Sequence, residues 1–483
     1  MNDSTPLYRA LADRLAGLAA SGSLRPGARL PSVRALSLQH GVSVSTAVQA
    51  YRTLEDRGLI EARPKSGFFV RRARSLPQVP AATRPPARPV AVELNAIADL
   101  VLDAVNDPGY ISFGAATASA DLYPADRIRR ALTRAAQRHP DAIARYATAP
   151  GIVPLRQAIS RRALGLGCNL DHQRIVVTNG CIEAVTLCLR AVTKPGDVVA
   201  IESPTYFGLL RGLQALGLRA LEIPMLPRSG MSLEALEFAL DTQPIKAVLA
   251  VPTLSNPMGT IMPTAAKKRL AELLERRQVP LIEDVICNDL APTEDARRAV
   301  KSFDRSGNVM ICGSFGKTLA PGLRGIGWVE GGRWAQQVAG LKRAFSGGGS
   351  EVVEWAVAEL LDQGGYEQSL RQRRVAFATK LADMRQLIGE TFPPGTRVTD
   401  PGAGYVLWVE LPRGVDSIEL YRRCLEQRIV IVPGPVFTTT DRYRNCLRLN
   451  AEGSWNAQTE QALRTVGAIA TSLAAESGMS ATR

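Results

Sequence analysis

The chain has 483 residues, 46% apolar and 22% charged, values ordinary for a soluble globular protein and incompatible with whole-chain disorder. At roughly 100–200 residues per domain, that length allows two to four domains. The net charge is +14, and residues 1–90 carry fourteen Lys/Arg against five Asp/Glu, so +9 of it sits in the first fifth of the chain. Such a block has either a polyanion partner or a solvated basic face.

Leu7, Leu11, Leu15 and Leu18 recur at helical spacing. Pro31 suits the first turn of a short second helix reaching about Gln39, which Gly41 ends. Ser43 is placed to cap a third helix, Val44 to Arg57, with Gly58 just past its end. Leu59–Arg63 and Gly67–Val70 flank Pro64-Lys65-Ser66 as a hairpin. The order is helix, helix-turn-helix, wing, within residues 1–71.

Residues 72–93 read as a linker, with five prolines and four arginines between Arg72 and Val90. From 94 to 475, short apolar strands alternate with helices. Strands are expected near Arg174–Thr178, Val198–Glu202, Ala247–Val251, Pro280–Glu283 and Val309–Cys312. Helices are expected near Ile182–Val192, Phe207–Leu216 and Thr264–Arg277. That alternation implies βαβ units and a mostly parallel sheet. After about Ser350 the pattern changes to a long helix, then GAGYVLWVELP (402–412), then a final helix, as in a smaller α+β subdomain. A tail is expected over 476–483.

No apolar run approaches the roughly 18 uncharged residues of a membrane helix. The first residues, with Asp3 and Asp13, lack a secretory apolar stretch, so a cytoplasmic location is expected. Seven cysteines without C-x-x-C, and three scattered histidines, argue against zinc or a disulfide framework. Reduced, mostly buried thiols are expected.

The segment from Leu24 to Val70, including PSVRALSLQHGVSVSTAVQAY, resembles the winged helix-turn-helix of GntR-type bacterial regulators. The resemblance implies double-stranded DNA as partner, read by Ser43, Ser45, Thr46 and Gln49 of the third helix. Arg34 matches a DNA-contacting arginine, with a salt bridge to Glu55 or Asp56 as its alternative role. Lys65 and Ser66 lie at the wing tip. Val44 stands where many relatives carry arginine.

CGSFGKTLAPGLRGIGW (312–328) resembles the lysine segment of fold-type I aminotransferases. The chain has only nine lysines, and Lys317 follows a strand and Ser-Phe-Gly. The resemblance implies pyridoxal 5′-phosphate in an aldimine with Lys317 and phosphate ligands at Ser314 and Arg324. TNGCIEAV (178–185) follows a strand and opens a helix, so Gly180, Cys181 and Ile182 would cradle phosphate. By the same resemblance Tyr206 stacks on the ring, Asn256 meets its phenolic oxygen and Asp284 pairs with its nitrogen. Tyr146 reaches a partner subunit's phosphate, and Arg448 in CLRLN clamps an effector carboxylate or serves structure alone.

Three departures stand out. Cys287 replaces a tyrosine that contacts the phenolic oxygen, Val285 replaces a second aspartate, and Gly316 replaces a serine. Binding is kept and catalytic tuning loosened. The whole chain resembles the MocR subfamily of GntR regulators, which implies a domain-swapped homodimer responding to an amine or amino-acid effector through an external aldimine. An active aminotransferase with an appended DNA-binding domain, and a DNA-binding scaffold with a dead pocket, are the alternatives.

Overall fold

The structure is a computed structural model that describes residues 6–20, 24, 28–56, 59–63, 67–70, 76–93, 97–114, 123–323, 326–451, 453 and 455–480. It divides into two units, Met1–Leu76 and Pro77–Arg483.

In the first unit, helices Leu7–Ala20, Val33–His40 and Val44–Asp56 precede a hairpin of Ile60–Arg63 with Gly67–Val70. Leu11 and Leu15 are buried, whereas Leu7 and Leu18 at the ends of the leucine series are exposed. The second helix begins at Val33, two residues after Pro31, which lies outside it. Ser32 is its N-cap, accepting the amide of Ala35, and Gly41 closes it at φ 63°. Pro31 instead offers its carbonyl to the Tyr51 hydroxyl at 2.7 Å. Ser43 Oγ accepts the Thr46 amide at 3.1 Å and so caps the third helix. That helix buries Ala47, Ala50, Tyr51 and Leu54, the i, i+3, i+4, i+7 stripe of an amphipathic helix, against the unit's small core.

The second unit is built on a nine-stranded sheet. Its path runs Val90–Ala91, Arg219–Leu226, Val198–Ser203, Ile245–Ala250, Leu281–Asp284, Val309–Ser314, Gly327–Glu330, Ile175–Thr178, with Gly230–Met231 added to the second strand. Neighbours from Arg219–Leu226 through Val309–Ser314 are parallel, and Gly327–Glu330 is antiparallel to both its neighbours. Helices cover both faces, which explains why strands such as Ile175–Thr178 and Val309–Ser314 are buried throughout. A second sheet orders Arg397–Val398, Val406–Glu410, Cys446–Asn450 and Val432–Pro433, all antiparallel. It forms the smaller subdomain with helices Ser417–Glu426 and Ala457–Ser480. The last helix runs on through most of the expected tail.

The Pro/Arg-rich segment is docked on this unit from Pro77 onward, where composition predicted a spacer. Val90–Ala91 forms an edge strand on Arg219–Ala220, and Gln78 accepts the amide of Val398 at 2.8 Å. Edge strands tolerate the flanking prolines because they need amides on one side only. Residues 71–75 lie outside the described residues.

Candidate functional site

Five strand ends converge on one cleft of about 900 Å³, within the range of small-molecule sites. Its wall includes Gly180, Cys181, Ile182, Tyr206, Asn256, Asp284, Ser314 and Lys317, eight of the residues that the sequence singles out. Each ends or follows a strand: Thr178 turns at Asn179 into the helix Gly180–Val192, Ser203 leads to Tyr206, Asp284 ends its strand, and Ser314 leads to Lys317. Ligands of parallel sheets gather at such carboxyl ends.

Gly180 sits at φ 79°, a left-handed conformation that glycine adopts without strain. It turns the chain so that the thirteen-residue helix points its first amides at the cleft. Ser314 Oγ accepts the Gly316 amide at 3.0 Å, shaping the turn that presents half-buried Lys317.

Asp284 closes the inner end. It is 6% exposed, and its Oδ1 accepts the Ile286 amide at 2.9 Å and the Cys181 thiol at 3.2 Å. Burial pushes its carboxyl up to about 6, against the pull of those donors and of Lys317. The same burial, with the neighbouring carboxylate, holds Cys181 well above the ordinary thiol range, so it is a donor here. Glu202, two strands away in the sheet, is pushed up to about 7 by burial, and its Oε2 accepts the Val251 amide.

Asn256 is held from below. Its Oδ1 accepts Arg448 Nη1 at 3.0 Å, while Arg448 Nη2 donates to the Gly114 carbonyl. Arg448 is 1% exposed and its guanidinium lies 5.2 Å from the Phe437 ring centroid. Phe207 is core, as its apolar surroundings require, and only Tyr206 of that pair borders the cleft. Tyr146 stands apart, 97% exposed.

A pyridoxal phosphate group fits these residues. A buried carboxylate suits a protonated ring nitrogen, an amine suits an aldehyde, and a helix start beside a serine suits a phosphate. Arg324 lies outside the described residues, as do Lys65 and Ser66 of the wing. In the first unit Arg34, Ser43, Ser45 and Gln49 are exposed and Thr46 is half-buried. The hydroxyls of Ser45 and Thr46 each lie 2.8 Å from Ser43 Oγ, grouping three short polar side chains at the start of the third helix. Glu55 accepts the Ala62 amide.

Sequence reading missed Tyr405, which borders the cleft with its hydroxyl 3.3 Å from Cys287 Sγ. The aromatic after Gly-Ala-Gly at a strand start was its only signal. A second cleft of about 890 Å³ contains Arg161, Arg162 and Arg374, yet these pair with Asp362, Asp289 and Glu367. These three charges are satisfied internally.

Residues 7–70 match the family described as bacterial regulatory proteins, gntR family, and 114–466 match aminotransferase class I and II. The chain is 37% identical over 461 residues to the uncharacterized HTH-type transcriptional regulator YjiR of Escherichia coli, covering 95% of this chain and 98% of that one. The chain belongs to the MocR-type GntR regulators. Its second unit is similar in fold to LysN, an α-aminoadipate aminotransferase from Thermus thermophilus complexed with N-(5′-phosphopyridoxyl)-L-leucine. That match has a TM-score of 0.71 and 24% identity, over 79% of this chain and all of that one. A kynurenine aminotransferase from Pyrococcus horikoshii matches with a TM-score of 0.71 and 27% identity, over 80% and 95%. Such aminotransferase class I and II proteins depend on pyridoxal phosphate. This MocR-type chain is thus a transcriptional regulator with an aminotransferase-like domain, and none of its described helices is long and apolar enough to cross a membrane.

Proposed function

We propose that this regulator holds pyridoxal phosphate through Lys317 and uses it to sense an amine or amino acid. The observation that carries the reading is the meeting of Lys317, buried Asp284 and the Gly180 helix start in one cleft. When bound, the cofactor supplies an aldehyde that condenses reversibly with primary amines. Lys317 competes with the effector for that carbon. Asp284 holds positive charge at the ring nitrogen, and Ser314, Arg324 and the amides of Gly180, Cys181 and Ile182 hold the phosphate. Tyr206 covers a ring face. Asn256, held by Arg448, meets the ring's phenolic oxygen, and Arg448 receives the effector's carboxylate.

Tyr146, which is almost fully exposed, reaches a partner subunit's phosphate in a domain-swapped homodimer. Exposed Arg34, Ser43, Ser45 and Gln49, with Thr46, Lys65 and Ser66, contact operator DNA, in the cytoplasm. Effector binding pulls the smaller subdomain against the larger one and so shifts the docked segment 77–92 that leads to the winged helix. That coupling requires the effector to prefer one arrangement.

The test measures operator affinity of the cofactor-loaded protein while a panel of amino acids is added. A shift with one amine, without keto acid accumulating over many turnovers, supports sensing. Keto acid produced over many turnovers with unaltered DNA affinity identifies an aminotransferase instead.

A further inference from the structure

Residue 287 is a small thiol three positions beyond the strand-end Asp284, and it is 4% exposed. The space beside it is taken from another element altogether. Tyr405, at the start of the strand Val406–Glu410, brings its hydroxyl to 3.3 Å from Cys287 Sγ. Its ring is fixed in place, 4% exposed and packed edge-on to Phe377 with centroids 6.0 Å apart. Both residues border the cleft shared with Asn256, Asp284 and Lys317.

A pyridoxal ring carries a hydroxyl ortho to its aldehyde; with Asp284 at the ring nitrogen and Lys317 at the aldehyde, Asn256 offers that oxygen one donor, and the oxygen can accept a second. We propose that the Tyr405 hydroxyl donates to the ring hydroxyl oxygen of bound pyridoxal phosphate, and that the Cys287 thiol holds this phenol by donating to its oxygen. The assignment rests on the cofactor reading above. A thiol is a weak donor and a phenol both donates and accepts, so the chain Cys287 to Tyr405 to cofactor uses each group in its ordinary capacity. Hydroxyl donation spreads the negative charge of the ring oxygen and weakens its hold on the proton of the adjacent lysine nitrogen. Tyr405 therefore sets the pH at which the bound cofactor changes colour.

The experiment is a visible-absorption pH titration of the full chain with added pyridoxal phosphate, for the wild type, Tyr405→Phe and Cys287→Ala, alongside cofactor affinity by equilibrium dialysis. Phenylalanine keeps the ring packing and removes only the hydroxyl. The expected result is a titration midpoint raised by about one unit or more in Tyr405→Phe, the size of a lost hydrogen bond to a charged acceptor, with weaker cofactor retention. Cys287→Ala should move it the same way by less. A wild type that titrates, with Tyr405→Phe at the same midpoint, overturns the assignment alone. A wild type that takes up no cofactor overturns the function proposed above and this assignment with it.

Discussion

The Thr83 hydroxyl donates to the carbonyl of Ser203 at 2.7 Å, joining the segment that leads from the winged helix to a cleft-forming strand 120 residues away. The same oxygen accepts the Met225 amide at 2.6 Å. Ser203 Oγ in turn donates to Glu222 at 2.6 Å and lies 2.8 Å from the Tyr443 hydroxyl. Thr438 and Thr439 donate to the other oxygen of Glu222. One buried carboxylate thus ties the docked segment, the large sheet and the smaller subdomain into a single hydrogen-bonded cluster.

Thr83→Val keeps the shape and leaves the Met225 amide without its acceptor, at a local cost of about 1–2 kcal/mol. Hydrogen exchange of the Met225 amide, which donates to Thr83 in the wild type, should therefore accelerate about tenfold. Unaltered exchange would show that Thr83 does not pin the segment.

Arg448→Met should lower affinity for carboxylate-bearing amines far more than for amines without a carboxylate, by about tenfold or greater. It should also destabilise the fold by about 2–3 kcal/mol, since Asn256 and the Gly114 carbonyl lose a charged donor. Comparing the two ligand classes separates recognition from destabilisation. Equal loss for both classes would leave Arg448 a structural residue.

Asp284 and Glu202 keep their protons to about 6 and about 7 in the folded chain, above their ordinary values of 3.8 and 4.5. The folded state therefore binds more protons than the unfolded state between about pH 4 and 7. Stability of the cofactor-free protein should fall as pH rises through that window. Asp284→Asn should raise its stability at pH 7 by about 2–3 kcal/mol while weakening cofactor retention. Denaturant melts at pH 5 and 7.5 check this; a variant no more stable than wild type at pH 7.5 would contradict the account.

Arg34→Ala should weaken operator binding roughly five- to tenfold and reduce its salt dependence by about one counterion, with cofactor content unaltered. Unchanged affinity would remove Arg34 from the interface.

What the sequence made legible follows from range. The third helix announces itself through Ser43 and its apolar stripe, and the sheet through strands buried on both faces, because these patterns are local. Lys317, Asp284 and Asn256 were singled out by the resemblance to fold-type I aminotransferases, and the structure brings them to one cleft because each stands at or beyond a strand end. Contacts between distant segments were not. Nothing near Thr83 reports Ser203 or Met225, and proline content concealed a docked strand. Tyr405 meets Cys287 across 118 positions, so the loss at 287 was readable and the neighbouring phenol was not.

Cofactor capture by Lys317 is read directly from the visible absorption of the purified protein and of Lys317→Ala, each with added pyridoxal phosphate. The expected result is a yellow wild type whose colour is fixed covalently by borohydride, and a variant in which no covalent adduct forms. A wild type that stays colourless in excess cofactor would contradict it and leave the aminotransferase-like domain a scaffold for the DNA-binding unit.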